Sequence, residues 1–270
     1  MSRKQPLWRD IKKSMNFIPI KTRVVNPPKD EIWDILDTLS VRDGDIVFIT
    51  SKILGIHQGR CVAAADCDKE TLIKNTASHW LPYVARAGFK VNLTINENIL
   101  VMSAGIDESN GNGHYILWPK DIDKLCREIR EYLIARHCEE CNDEAIPTRT
   151  QTPIKNLGIV ATDSHTTPLR WGVTGIAIGL AGVEPLRDLR GECDIFGRPA
   201  VCTQIGVIDA LAATANLLMG ETAAQIPIVI LRGYKGATFN EHAGMRDAKI
   251  APEDDVYQPL LSVMKKAGRE

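Results

Sequence analysis

Four short apolar runs constrain this chain more than any other feature. They are "IVFIT" from Ile46, "ILVMSAG" from Ile99, "LGIVAT" from Leu157 and "IPIVILRG" from Ile226, each rich in β-branched residues and running straight into polar or glycine-containing sequence. Such runs read as buried strands rather than strands with one wet face. Two segments read as helices instead. "VIDALAATANLLM" (207–219) has no internal Gly or Pro and stops at Gly220, while "DIDKLCREIREYLIARHC" (121–138) sets Ile122, Leu125, Ile129 and Leu133 on one face with charges opposite. Strands and helices do not alternate regularly, so the expected class is α+β, mixed sheets with packed helices, and not a doubly wound fold. Segments 61–98 and 138–156 show no clear period. The expected organisation is a basic tail over 1–14, one domain over 15–250 and a peripheral C-terminal helix over 251–270.

With 270 residues, 44% of them hydrophobic, the chain can bury a substantial core. Its formal net charge of -1 provides no global field to recruit nucleic acid or an anionic membrane, so any phosphate binding must be local. The basic start "MSRKQPLWRDIKKSMNF" is not followed by a signal-type apolar stretch, and the glycine-spaced ribbon at 172–182 is too broken to span a bilayer. Seven scattered cysteines suit free thiols in a reducing cytoplasm, which is the expected location. Cys138 and Cys141 form a Cys-x-x-Cys pair, but no second pair at finger spacing completes a zinc site.

The chemistry lies where the runs end. Asp107 and Asn110 follow the second run, and Asp163 and Ser164 close the third. Carboxylates at the ends of two buried strands can share a hard divalent cation, and the same residue types are equally at home capping turns. The first run ends in Thr50-Ser51-Lys52, with His57 and Arg60 soon after: a hydroxyl and a cation suited to phosphate oxygens, though without Walker spacing. Glu221 follows the glycine cap of the alanine-rich helix, where a solvated acid is the ordinary occupant. The ribbon "GVTGIAIGLAG" lacks the dinucleotide fingerprint; its glycines allow close approach of another element or subunit.

At "AGIDESN", "TDS", the long stretch from Gly172 to Glu221 and "IPIVILRG", the sequence resembles the gamma-glutamyl ligases that elongate the deazaflavin coenzyme F-420. The likeness runs in order from about Ile18 to Gly233 and makes 15–250 the catalytic domain. It implies a homodimeric enzyme that uses GTP and two divalent cations, Mg2+ or Mn2+, with K+ as a further cation. A small carboxylic acid, F-420-0-like or folate-like, is phosphorylated to an acyl phosphate that the amine of L-glutamate displaces. On this resemblance Asp107 and Asp163 hold the first metal, and Ser164 and Glu221 the second. Arg23, Asn26, Ser51, Lys52, Asn110, Met219 and Gly220 contact the nucleotide, and Arg170 joins Asp107 and Asp163 in catalysis.

The chain departs from the family pattern across one stretch. Where the family reads Asp-Thr-x-Gly-Arg-Pro, this chain has Asp163-Ser164-His165-Thr166-Thr167-Pro168, which removes a glycine and an arginine. The expectation is therefore that His165, Thr166 and Thr167, with His57, choose the acceptor. The competing readings are a metal-dependent phosphatase and a non-catalytic nucleotide-binding relative.

Overall fold

Both faces of the central strands are covered, which is why their sequences show no polar alternation. The structure is a computed structural model and describes residues 15–81, 84–86, 89–142 and 153–266. In chain order its elements are β1 (Asn16–Ile20), α1 (Trp33–Asp37), β2 (Asp45–Thr50), α2 (Ser51–His57), β3 (Cys61–Ala63), α3 (Lys69–Thr76), β4 (His79–Trp80), β5 (Val84–Arg86), β6 (Phe89–Val91), β7 (Leu93–Asn96), β8 (Ile99–Met102), β9 (His114–Ile116), α4 (Ile122–Asn142), β10 (Leu157–Thr166), β11 (Val173–Ala181), β12 (Leu186–Asp188), β13 (Gln204–Gly206), α5 (Val207–Met219), β14 (Ile228–Arg232), α6 (Gln258–Leu261) and β15 (Lys265–Lys266). The class is mixed α+β, as the sequence implies. The main sheet has the order β1-β14-β2-β10-β11, with only the β2–β10 pair parallel.

On one face of this sheet, Val47, Ile49, Ile159 and Ala161 pack with Leu125, Ile129 and Leu133 of α4. On the other, Ile46, Phe48 and Val160 pack with Ile208, Leu211 and Ala215 of α5. Neighbouring residues of β2 thus enter different cores, as a pleated strand requires.

Three sequence expectations need revision. The run from Ile99 belongs to a separate sheet of order β15-β4-β7-β8, and its burial alternates: Ile99 and Val101 are buried, Leu100 and Met102 half-buried. The run from Leu157 does not stop at the polar residues, because β10 continues to Thr166 and pairs antiparallel with β11, setting Asp163 opposite Ile176 and His165 opposite Thr174. Sheet hydrogen bonds carry a polar stretch that hydrophobicity alone would end. Past Pro252 the chain forms the four-residue α6 and then pairs β15 with β4. The whole of the expected basic tail, residues 1–14, and the side chain of Cys141 lie outside the described residues.

The glycine ribbon is β11. A Cβ at Gly175 would fall 2.5 Å from the carbonyl oxygen of Ala212 in α5, and one at Gly179 would fall 2.1 Å from Cγ2 of Ile122 in α4. A register shift between Ala161 and Thr162 separates the two glycines and turns them to opposite helices. Each removes a side chain where a helix of the same chain crosses.

Candidate functional site

The parallel pairing of β2 with β10 brings two sequence motifs to one edge of the sheet. Thr162 lies level with Thr50, so Asp163 and Ser164 emerge beside Ser51 and Lys52, where β2 turns directly into the first turn of α2. The C-terminus of α5 at Met219, the chain from Gly220 to Pro227 and the Asp107–Asn110 loop enclose the remaining sides of a cavity of about 270 Å³. Asn110 Nδ2 donates to the carbonyl of Thr222 (3.0 Å), tying two of these walls together.

Two carboxylates in this cavity are held in contrasting states. Lys52 Nζ lies 2.6 Å from Asp107 Oδ2 and also donates to the Ser109 carbonyl (2.9 Å), while the Ser109 amide donates to Asp107 Oδ1 (2.8 Å). Burial works to raise the Asp107 pKa, but Lys52 and Ser109 outweigh it and hold the carboxyl below its ordinary value. Asp163 accepts hydrogen bonds from the Trp118 indole and the Ser164 amide (2.9 Å), and the nearby Ser51 hydroxyl also favours its charged form. Burial nevertheless pushes its carboxyl up to about 6, and the negative charge of Asp107 adds to the rise. Environment sets two like groups apart, the pattern that separates roles in catalytic carboxylate pairs.

The other expected site residues occupy varied places. Glu221 faces the cavity and accepts from Asn216 Nδ2 (2.9 Å). Met219 and Gly220 line it, the latter at φ 74°. Arg23 lines it too, but its guanidinium is taken up by Asp30 and Asp34, both at 2.7 Å. Asn26 is off the cavity, its amide donating to Asp30 (2.9 Å). His57 is buried edge-on against Trp33, and Nδ1 lies 3.0 Å from a Glu31 oxygen without hydrogen-bond geometry. Burial keeps its pKa below the ordinary value. His165 Nδ1 reaches the Thr174 carbonyl (3.0 Å), and the Arg170 guanidinium turns back to the Leu169 carbonyl (3.1 Å). Neither residue lines the cavity, nor do His57, Thr166 and Thr167.

Sequence reasoning missed Trp118 and Asn216, which hold Asp163 and Glu221. Nothing in "ILWPK" marks an indole 45 positions away as a carboxylate's partner. One glycine makes room for it: at Gly105 a Cβ would fall 2.2 Å from the Trp118 ring, at a backbone φ of +72°. Gly105→Ala is therefore expected to lower the unfolding free energy by about 2–4 kcal/mol, overpacking and left-handed strain adding together. Urea denaturation followed by circular dichroism measures it; a loss under 1 kcal/mol would mean the indole has slack.

A hard cation fits this donor set. Asp107, Asp163 and Glu221 face the cavity against Lys52 and an already neutralised Arg23, so an incoming polyphosphate would meet net negative charge. Among the described residues no three His, Cys, Asp or Glu side chains stand close enough to hold an ion on their own. Asp107 and Asp163 would thus hold a cation together with phosphate and water oxygens, the usual manner for Mg2+.

No helix among the described residues is long and apolar enough to cross a membrane. The family model for F420-0:Gamma-glutamyl ligase matches residues 19–233. The coenzyme F420:L-glutamate ligase of Methanopyrus kandleri is 27% identical over 259 residues, covering 89% of this chain and 96% of that protein. The protein of the same name from Methanosarcina acetivorans is 28% identical over 91% of this chain and 96% of its own length. That of Methanococcus maripaludis strain S2 is 39% identical over 156 residues, 58% of this chain and 56% of the relative.

Proposed function

The chain belongs to the F420-0:gamma-glutamyl ligase family, a family of amide-forming enzymes, and on that premise we propose that it joins the amine of L-glutamate to a small carboxylic acid at the expense of a nucleoside triphosphate, GTP in the first instance. The acceptor carboxylate attacks the γ-phosphorus, releasing the diphosphate and forming an acyl phosphate; the glutamate amine then displaces inorganic phosphate to give the amide. The observation that carries this reading is the single cavity in which Asp107, Asp163, Ser164, Glu221 and Lys52 meet. Divalent cations, Mg2+ or Mn2+ and two per site in this reading, would neutralise the triphosphate and polarise the γ-phosphoryl group. Asp107 and Asp163 would hold the first, and Ser164 and Glu221 the second. Lys52, released from Asp107 as a cation takes its place, would pair with phosphate oxygens. Asn110 and the backbone from Gly220 onward would frame the nucleotide. His165, Thr166 and Thr167, read as choosing the acceptor, and Arg170, read as catalytic, stand outside the cavity, so either part requires the acceptor to extend toward the β10–β11 turn.

The test is to incubate the protein with Mg2+ or Mn2+, labelled glutamate, GTP or ATP and a panel of carboxylic acids, F-420-0 and folate among them, and to seek new amides by mass spectrometry. Nucleotide turnover that depends on both acid and amine supports the ligase. Turnover indifferent to glutamate points to a phosphatase, and absence of turnover with retained nucleotide binding points to a non-catalytic relative. Lys52→Met is expected to raise the nucleotide KM about tenfold or more, the value of one charge-assisted hydrogen bond, in steady-state kinetics.

A homodimer belongs to the same reading. Two β-hairpin turns expose large apolar side chains, Leu169 and Trp171 on one and Ile195 and Phe196 on the other, each at least 89% accessible. A subunit contact would cover them. Light scattering at micromolar concentration should give twice the chain mass; a monomer mass would remove this part of the proposal.

A further inference from the structure

Strand β7 carries polar residues on a buried face where apolar ones would be cheaper. Thr94 and Asn96 share that face, Thr94 with no solvent exposure and Asn96 at 7%. Burying a hydroxyl and an amide is costly unless each is hydrogen-bonded, and here the bonds converge on one residue. The Ala104 amide donates to Thr94 Oγ1 (2.8 Å), Asn96 Nδ2 donates to the Ala104 carbonyl (2.8 Å), and the Thr94 hydroxyl donates onward to the Val101 carbonyl (2.6 Å). Ala104 lies within a tight turn of three successive left-handed residues, Ser103 (φ 52°), Ala104 (φ 56°) and Gly105 (φ 72°). For Ser and Ala this conformation is strained, by about 1 kcal/mol or more each, and it persists only where the surroundings over-determine it.

This turn reaches the site in two ways. Asp107 follows two residues after Gly105, its amide and carbonyl fixed to Ile116 (2.9 and 2.8 Å). Gly105 itself forms the wall against which the Trp118 indole lies, and that indole donates to Asp163. Relaxing the turn would move one carboxylate directly and deprive the other of its donor.

We infer that Thr94 and Asn96 are positioning residues for the site: through the strained Ser103–Gly105 turn they set the placement of Asp107 and of the Trp118–Asp163 hydrogen bond. The inference deepens the proposed ligase reading and rests on it for its catalytic consequence, while its structural part can be measured without any substrate. Thr94→Val removes both hydroxyl bonds at nearly constant volume, and Thr94→Ser restores the hydroxyl. The Trp118 indole N–H resonance, identified by its loss in Trp118→Phe, is recorded for each protein together with steady-state kinetics. The expected result is a shifted Trp118 resonance in Thr94→Val and a kcat roughly ten- to hundredfold lower with little change in KM for glutamate, the scale of a misplacement near 1 Å. Thr94→Ser should restore both. A Trp118 resonance unmoved in folded Thr94→Val, or Thr94→Ser behaving like Thr94→Val, overturns the inference. If Thr94→Val does not fold, Asn96→Ala with the same readouts decides in its place. A shifted resonance in a protein whose parent makes no amide leaves the positioning intact and refutes the ligase reading instead.

Discussion

Asp163→Asn should reduce amide formation about a thousandfold or more while leaving the protein folded and, at pH 8 in the presence of chelator, more stable than its parent. The activity loss follows from removing the charge that would hold a cation against the transferred phosphoryl group, an electrostatic contribution of the kind that costs 10²- to 10³-fold or more when deleted. The stability gain follows from the raised pKa. Folded Asp163 holds its proton up to a pH of about 6, against a value of 3.8 for the free group. Because the folded value lies above the unfolded one, the contribution to stability is complete below about pH 4 and is lost as the pH rises through 6. A difference of roughly two pKa units corresponds to about 3 kcal/mol at pH 8. Asparagine has no proton to give up, so it escapes that penalty, although one of the Trp118 and Ser164 donors loses its acceptor at a cost of about 1 kcal/mol. The net expectation is a gain of about 1–2 kcal/mol at pH 8 that disappears by pH 4.5. Urea unfolding at the two pH values, alongside the ligase assay, reads both effects. A variant that loses activity by unfolding, or whose stability relative to the parent is independent of pH, would show that Asp163 is an ordinary structural residue.

Gly175→Ala should destabilise the fold by about 3 kcal/mol. The added Cβ would meet the Ala212 carbonyl oxygen at 2.5 Å, its carbon at 3.0 Å and Asn216 Cβ at 2.6 Å. Two of these atoms are helix backbone, so the clash cannot be relieved by a rotamer change and α5 must move off the sheet. In a domain of this size the melting temperature should fall by roughly 6–12 °C. The displacement would also carry Asn216, the donor to Glu221, away from the cavity, so nucleotide affinity should decline with stability. Gly172→Ala is a useful comparison: no atom lies within 4 Å of its Cβ, and only the strain of φ +90° is charged against it. Should Gly175→Ala leave the melting temperature unchanged but alter the mass in light scattering, the ribbon would serve a subunit contact rather than packing within the chain.

The elements that the sequence makes legible are those whose environment is simple. Residues 46–49 are apolar without interruption because helices cover both faces, and α5 reads from its composition because nothing inside it breaks the period and Gly220 ends it. The site is legible only as fragments. In the sequence Asp107, Asp163 and Lys52 each follow an apolar run and Glu221 follows an apolar helix, a position that turn-capping residues share, so spacing alone cannot distinguish a ligand from a cap. The C-terminal segment misleads for a related reason: α6 is short, and the two-residue β15 exists only because β4 offers a partner edge.

By itself, then, the sequence determined which segments are buried, the mixed class and, through its resemblance, the family. Tertiary structure decided everything that depends on pairing partners far apart in the chain. Register, which hydrophobicity does not encode at a polar residue, extends β10 through Asp163 to Thr166. Parallel pairing of β2 with β10 sets Ser51 and Lys52 beside Asp163, residues more than a hundred positions apart. Enclosure then gives Asp163 a proton affinity that Asp107, paired with Lys52, does not share. A side chain's charge state depends on its desolvation and on neighbouring charges, and both are properties of the folded surroundings rather than of the residue.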